Sequence, residues 1–310
     1  MAHLKRNATF KRRVPLLVLL GGLSACEIPV LRECSGAVER LSGRTTRKPG
    51  ALENSEIWSG EVTLQGDLFV GNGCSLTVEA GTLVRVLPDD RWAHAHAMHF
   101  DGSLVPLPRA AFERASERTS AIVVLEGSLE LRGTSSNPVR FRASEGSWSG
   151  IVARRPKLLS IRGAEIGDAY RGLEVIGYVS SAPLRIQDSL FERTTLCGLC
   201  LGGEDSGRAV AAEIRGNRFR DGGGSGIEAH AFVSGVVEAN FFEGYRGTPA
   251  TPAAAARLRG NALSFLDNTF ERNDIGVDCA EASTPGFAGN RFGAGAQANG
   301  TDSTCPDFAP

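Results

Sequence analysis

The chain has 310 residues, 42% hydrophobic and 22% charged, enough apolar side chain to bury a sizeable core. Its 34 Lys and Arg stand against 35 Asp and Glu, so charge makes no case for nucleic acid or for a strongly acidic partner. The 38 Gly and 15 Phe beside only 2 Met suggest many tight corners around a packed interior.

The chain opens with Lys5, Arg6, Lys11, Arg12 and Arg13, then a short apolar run from Val14 to Leu23. That run is too short to span a bilayer comfortably and ends in small residues, as a secretory signal does. Its last residues, Leu23-Ser24-Ala25-Cys26, resemble the lipobox of bacterial lipoproteins. The resemblance implies that residues 1–25 are a signal peptide and that Cys26 becomes the lipid-modified N-terminus. Such an acylated end carries more than one chain and anchors stably. An exported protein held to the cell envelope is expected. Glu27 after the lipid cysteine favours the outer membrane under simple sorting rules.

Beyond Cys26 the cysteines are Cys34, Cys74, Cys197, Cys200, Cys279 and Cys305. An even number in an exported chain reads as disulfides. Proximity suggests Cys34–Cys74, Cys197–Cys200 and Cys279–Cys305, with Cys200–Cys279 as an open alternative. Cys197-Gly-Leu-Cys200 lacks the second cysteine pair a zinc site wants and the βαβ context of a redox motif.

Residues 26–56 are polar, turn-rich and aperiodic and read as a lipidated tether. From Trp58 the texture changes to short apolar alternating runs: Ser75–Glu79, Ala121–Leu125, Ser128–Leu131, Leu184–Ile186 and Gly235–Val237. Asn-x-Phe recurs at Asn217-Arg-Phe219, Asn240-Phe-Phe242, Asn268-Thr-Phe270 and Asn290-Arg-Phe292, with Phe141, Ile166 and Phe191 at the same phase. The steps from Phe141 to Phe292 are 25, 25, 28, 23, 28 and 22 residues. A Gly-aliphatic pair usually follows, as in Gly172-Leu173, Gly198-Leu199, Gly226-Ile227 and Gly276-Val277, with Gly150-Ile151 after a longer gap. Short strands recurring every 22–28 residues between Gly and Asn corners indicate an all-β solenoid over residues 57–300. Residues 88–119 are an insertion, and Thr248–Ala256 reads as a low-complexity bulge. Asp221–Gly226 is a coil corner, since it precedes a strand and lacks the Gly-Lys ending of a phosphate loop. Residues 301–310 form a cap or tail, too short for a membrane barrel.

The stretch from Gly127 through Val139-Arg-Phe141 to Trp148-Ser-Gly150-Ile151 resembles the G-x-L-x-x-x-G-T-x-x-x-P-I-x-F … W-x-G-I run of bacterial right-handed parallel β-helix proteins, the pectate-lyase-like superfamily. Trp58 to Val86 resembles their entry coil. The resemblance implies the architecture. The superfamily holds lyases, hydrolases, epimerases and surface proteins, so it implies no single chemistry.

Two candidate sites follow. If the aliphatic of each Gly-aliphatic pair points inward, Val152, Glu174, Cys200, Glu228 and Asp278 form an outward column, with Arg154 and His230 beside it. Glu174, Glu228 and Asp278 are the candidate catalytic carboxylates. Glu174 and Glu228 would lie two coils, about 9–10 Å, apart, the upper end of an inverting glycosidase pair. An ordinary solvated strand face is the competing reading. Within the insertion, His94, His96 and His99, flanked by Asp89, Asp90 and Asp101, offer imidazoles to a metal, zinc by donor type rather than calcium; a polar surface loop without a cofactor is the competing reading. The favoured function is a non-catalytic, lipid-anchored β-helix that binds a polysaccharide or a surface protein. A polysaccharide lyase or glycoside hydrolase on the outer face is the alternative.

If the histidines do bind, Zn²⁺ affinity falls steeply below about pH 6 as the imidazoles protonate near their reference pKa of about 6.5. Calorimetry on the wild type and His94→Ala/His96→Ala measures this. A wild type that binds neither Zn²⁺ nor Ni²⁺ at micromolar concentration retires the loop as a metal site.

Overall fold

A computed structural model of the chain describes residues 34–88, 120–203, 209–248, 252–280 and 286–293. These residues form a parallel β-helix: three sheets of 10, 10 and 9 strands, in which each strand pairs with its counterparts one coil before and one coil after. Every pairing is parallel and most run without a register shift, Gly150/Ile151 being an exception. Each coil places one strand in the first sheet, turns into the second, then the third, and returns.

Because the register is kept, equivalent side chains stack into columns. In the second sheet the column runs Val62, Val84, Phe141, Ile166, Phe191, Phe219, Phe242, Phe270 and Phe292. From Phe191 to Phe270 the ring centroids are 5.1, 4.9 and 4.8 Å apart and the planes within 9° of parallel. That spacing is the strand separation of a sheet; the backbone ladder, rather than ring preference, holds the rings face to face. In the first sheet Trp58, Val78, Leu131, Ile161, Ile186, Ile214, Val237, Phe265 and Phe287 form the matching column.

The corner between these sheets carries the asparagine ladder. Asn217, Asn240 and Asn268 each donate one Nδ2 proton to the next Oδ1, at 3.0, 3.0 and 2.9 Å. The other proton goes to the carbonyls of Ile186, Ile214 and Val237 at 2.8, 2.9 and 2.8 Å. Backbone N–H groups of the same residues also donate to the next Oδ1. The ladder therefore satisfies corner backbone that the sheets leave unpaired. One residue before it, the chain turns through the left-handed region at Asp188, Gly216, Ala239 and Asp267.

The glycine of each Gly-aliphatic pair makes room for the phenylalanines. A Cβ on Gly226 would stand 2.6 Å from the Ala255 carbonyl oxygen and 2.9 Å from the Phe242 ring, and one on Gly198 would stand 3.0 Å from Phe219.

Two expectations are corrected. The solenoid begins inside the segment read as a tether, with strands at Val38–Leu41, Arg44–Arg47 and Gly50–Ala51. These strands look aperiodic because the first coils carry polar inward residues. Arg47 and Glu56 stand in register with the core residues Leu64 and Leu76 and pair at 2.9 Å, and Trp58 Nε1 donates to Glu56 at 2.7 Å. Burial raises the Glu56 carboxyl above its ordinary value, against the Trp58 hydrogen bond and Arg47. The second correction concerns Thr248–Ala256. Residues Ala254–Arg259 form a third-sheet strand, with Ala254, Ala255 and Ala256 fully buried. Small alanines there read as low complexity, but they fill the coil where space is tight.

Phe219→Ala and Phe242→Ala should each cost about 3–5 kcal/mol, because the rungs on either side prevent collapse of the cavity. Asn240→Ala should cost about 1–3 kcal/mol by leaving Asn217 donors and the Ile214 carbonyl unpaired. Chemical denaturation measures both; an unchanged midpoint for Phe242→Ala would contradict the stacked column.

Candidate functional site

The third sheet carries the candidate carboxylates. Its outward column reads Phe69, Val123, Val152, Glu174, Cys200, Glu228, Arg257 and Asp278. All five expected members therefore share one column. Arg257 also belongs to it, between Glu228 and Asp278, because the Ala254–Arg259 strand supplies a coil that the pattern of Gly-aliphatic pairs skips.

The column is not a uniformly solvated face. Val123, Val152 and Phe69 are buried on it, forming a small apolar cluster outside the main core. Glu174 is 0% exposed and Cys200 1%. The expectation of an exposed Glu174 is therefore corrected, since outward from the solenoid interior is not the same as open to water.

A second outward position lies three residues before the first in each coil, across the glycine that breaks the alternation. Arg171, Cys197 and Ser225 stand in register there. The same relation is filled by different chemistry in successive coils. Arg171 Nη1 reaches Glu174 Oε2 at 3.3 Å, and Cys197 is disulfide-bonded to Cys200 with Cα atoms 5.8 Å apart. In the next coil, Ser225 and Glu228 occupy the two places. Arg171 was not singled out in the sequence, although its spacing to Glu174 repeats that of the two cysteines.

Each candidate carboxylate is matched to an arginine or histidine side chain. Glu174 pairs with Arg171. Glu228 accepts from His230 Nε2 at 3.2 Å, and Asp278 accepts from Arg257 at 3.2 Å. Their protonation differs. Burial drives the Glu174 carboxyl above its ordinary value, opposed by Arg171 and aided by the Glu228 charge. Neither Glu174 oxygen has a hydrogen-bond partner, and Arg171 Nε and Ser225 Oγ are likewise buried without one. Burial pushes Glu228 upward too, but the His230 hydrogen bond with the charges of His230, Arg257 and Arg259 outweighs it and holds Glu228 below its ordinary value.

A second disulfide joins Cys34 to Cys74, with Cα atoms 5.1 Å apart, tying the residues before the first strand to a later coil. Cys279 is buried and disulfide-bonded. Cys26, Cys305, the signal segment 1–25, the tail 301–310 and the triad His94, His96 and His99 with Asp89, Asp90 and Asp101 lie outside the described residues. Among the described residues no group of three or more His, Cys, Asp or Glu is placed to hold a metal. Comparison of the chain with protein-family models, with curated proteins and with solved structures returned no match.

The raised Glu174 carboxyl makes a pH-dependent contribution with a definite sign. A folded-state pKa above the unfolded value gives stability that is complete below the ordinary carboxylate range and is lost as pH rises through the folded value. Relative to Glu174→Gln, the wild type should therefore lose melting temperature as pH climbs from about 4.3, the reference for an unperturbed Glu. A wild-type-minus-variant difference that stays constant with pH would show that Glu174 does not titrate in the folded protein.

Proposed function

We propose that this protein is a non-catalytic, lipid-anchored cell-envelope protein that presents a rigid β-helix to a polysaccharide or a surface partner. The observation that carries the non-catalytic part is the pairing of the candidate acids. An acid–base pair for glycosidic cleavage needs two carboxylates facing one substrate, one of them holding a transferable proton. Here Glu174 is shut away from solvent beside Arg171, and the Cys197–Cys200 disulfide stands between it and Glu228. Glu228 is kept ionised by His230, and Asp278 is engaged by Arg257. Each charge is answered within its own sheet, as in a structural surface.

The lipid anchor rests on the Leu23-Ser24-Ala25-Cys26 motif, and export agrees with the two disulfides among the described residues. The Gly127–Ile151 resemblance supports kinship with the pectate-lyase-like proteins and a right-handed winding, the hand that parallel strand crossovers strongly prefer.

Two measurements check this reading. Cys26→Ser should abolish lipid labelling and free the protein from membranes; unchanged membrane partition would remove the anchor. The full-length chain, offered to a glycan array and assayed for reducing ends and unsaturated uronates, should retain a glycan and release neither product. Product release abolished by Glu228→Gln would instead establish a lyase or hydrolase.

A further inference from the structure

Strands begin at Val38, so the stretch left to tether the solenoid to its anchor is short. Ser35 N–H already donates to the Glu53 carbonyl at 3.0 Å. The Cys34–Cys74 disulfide fastens the chain just before it to a turn two coils on. From Cys26 to Cys34 there are eight residue steps, which reach at most about 29 Å at roughly 3.6 Å per step. A lipid on Cys26 therefore keeps the first coil within that distance of the bilayer, whatever path the intervening residues take.

The surface held there is the open end of the stack. Its sheets stop at Val38–Leu41, Arg44–Arg47 and Gly50–Ala51, with no strand beyond them among the described residues. Between Cys34 and Pro49 it carries Arg40, Arg44, Arg47 and Lys48 against Glu39 alone, in a chain whose charges otherwise nearly cancel. Arg47 turns inward to Glu56. The Arg40 and Arg44 side chains are 65% and 85% exposed, and Lys48 is exposed. Val38, 61% exposed, stands on the same side of its strand as Arg40. Arg40 and Arg44 reach Glu79 at 3.2 Å and Glu61 at 3.5 Å, carboxylates of later coils. Exposed pairs of this kind hold their side chains weakly, so both guanidinium groups are able to exchange carboxylate for phosphate, which they grip in the same bidentate way.

The end is polar within its rim as well. A concavity of about 510 Å³ there is lined by side chains that include Glu39, Arg47, Lys48 and Glu53. The outer edges of the three strands leave backbone groups that need polar partners. A second copy packed end to end about a two-fold axis would set the same basic residues against themselves. Anionic headgroups and their water satisfy both the charge and the backbone. Attraction to such a surface acts within a Debye length of about 8–10 Å, and a short tether holds the end at high effective concentration against it.

We propose that the first coil is a membrane-contacting surface for anionic lipid headgroups, with Arg40, Arg44 and Lys48 on phosphates and Val38 among the headgroups, so that the solenoid stands on its N-terminal end. This contact deepens the lipid-anchored reading above and rests on it.

Lysine methylation reads the contact, because Lys48 and Lys157 are the only lysines after Cys26. Both are exposed. Lys157 precedes a strand four rungs from the opening one, roughly 19 Å along the stack. The lipidated wild type is treated with formaldehyde and a hydride reductant in detergent, in mixed phosphatidylglycerol and phosphatidylcholine vesicles, and in pure phosphatidylcholine vesicles. In the anionic vesicles Lys48 should react about fivefold more slowly relative to Lys157 than in detergent, the effect of one basic residue held at a charged surface. The protection should vanish in phosphatidylcholine and in about 1 M salt, where the screening length is about 3 Å. Arg40→Glu/Arg44→Glu should lose it too while still floating with the vesicles and melting as the wild type does; should that variant not fold, the salt and lipid arms decide alone. An unchanged Lys48 to Lys157 ratio in protein that floats would overturn the contact and leave the anchor standing. Protection of Lys157 as strong as that of Lys48 would mean that the solenoid lies on its side, and protection that persists in phosphatidylcholine or in salt would mean that charge does not hold the end; either overturns the proposal. Protein that does not float removes the anchor and the contact together.

Discussion

A parallel backbone ladder carries the register of each coil into the next, and every other feature of the molecule depends on that transfer. With equivalent residues about 4.8 Å apart, each position meets a copy of itself, so only residue types compatible with their own kind can persist along a column. Phenylalanine rings satisfy this by stacking, and asparagine amides do so by donating to one neighbour and accepting from the other. The glycine column is a secondary consequence. Once phenylalanines occupy the second sheet, a Cβ at Gly172, Gly198 or Gly226 at the start of the third would strike the ring or the next strand.

The same constraint orders the exposed faces by a different solution. Opposite charges are brought together there, although like residues also stand in register, as Arg85 with Arg142 and Glu243 with Glu271. On the outside of the second sheet Arg140 and Arg142 meet Glu165 at 3.0 and 3.1 Å, Arg142 meets Glu192 at 2.9 Å, and Arg220 meets Glu192 at 2.6 Å. Burial pulls the Glu192 carboxyl upward, but Arg220, Arg193 and Arg142 around it more than reverse this and hold it below its ordinary value. Isolated surface pairs of this kind contribute little; their value here lies in letting charged side chains line a column at all. The third sheet departs from the pattern. Its outward places are taken by an ion pair in one coil and a disulfide in the next, and the column there is buried. Individuality in this solenoid sits where the columns are interrupted, as at this face.

Much of this was legible before the structure. The Asn-x-Phe copies and the glycine-aliphatic pairs marked two of the three sheets and their phase, because stacking repeats a residue type at fixed spacing. The opening coil was missed, since at the end of a stack Arg47 and Glu56 face inward as a polar lid and erase the alternation. The Ala254–Arg259 strand was missed because its glycine is replaced by Ala255 and its apolar residues are small. With that coil absent, Arg257 could not be placed between Glu228 and Asp278, and an acidic column seemed more continuous than it is.

The sequence by itself determined the architecture and the membership of its columns wherever the repeat kept its phenylalanine and glycine. Those follow from local alternation and period, which act over one coil. Only the tertiary structure decided that Glu174 is sealed from water, that Arg171 and His230 each claim a carboxylate, and that Phe232 stands exposed at φ 60°. Burial and pairing depend on what lies across the sheet and beyond it, and residues distant along the chain contribute to that through space in ways that no spacing along one strand records.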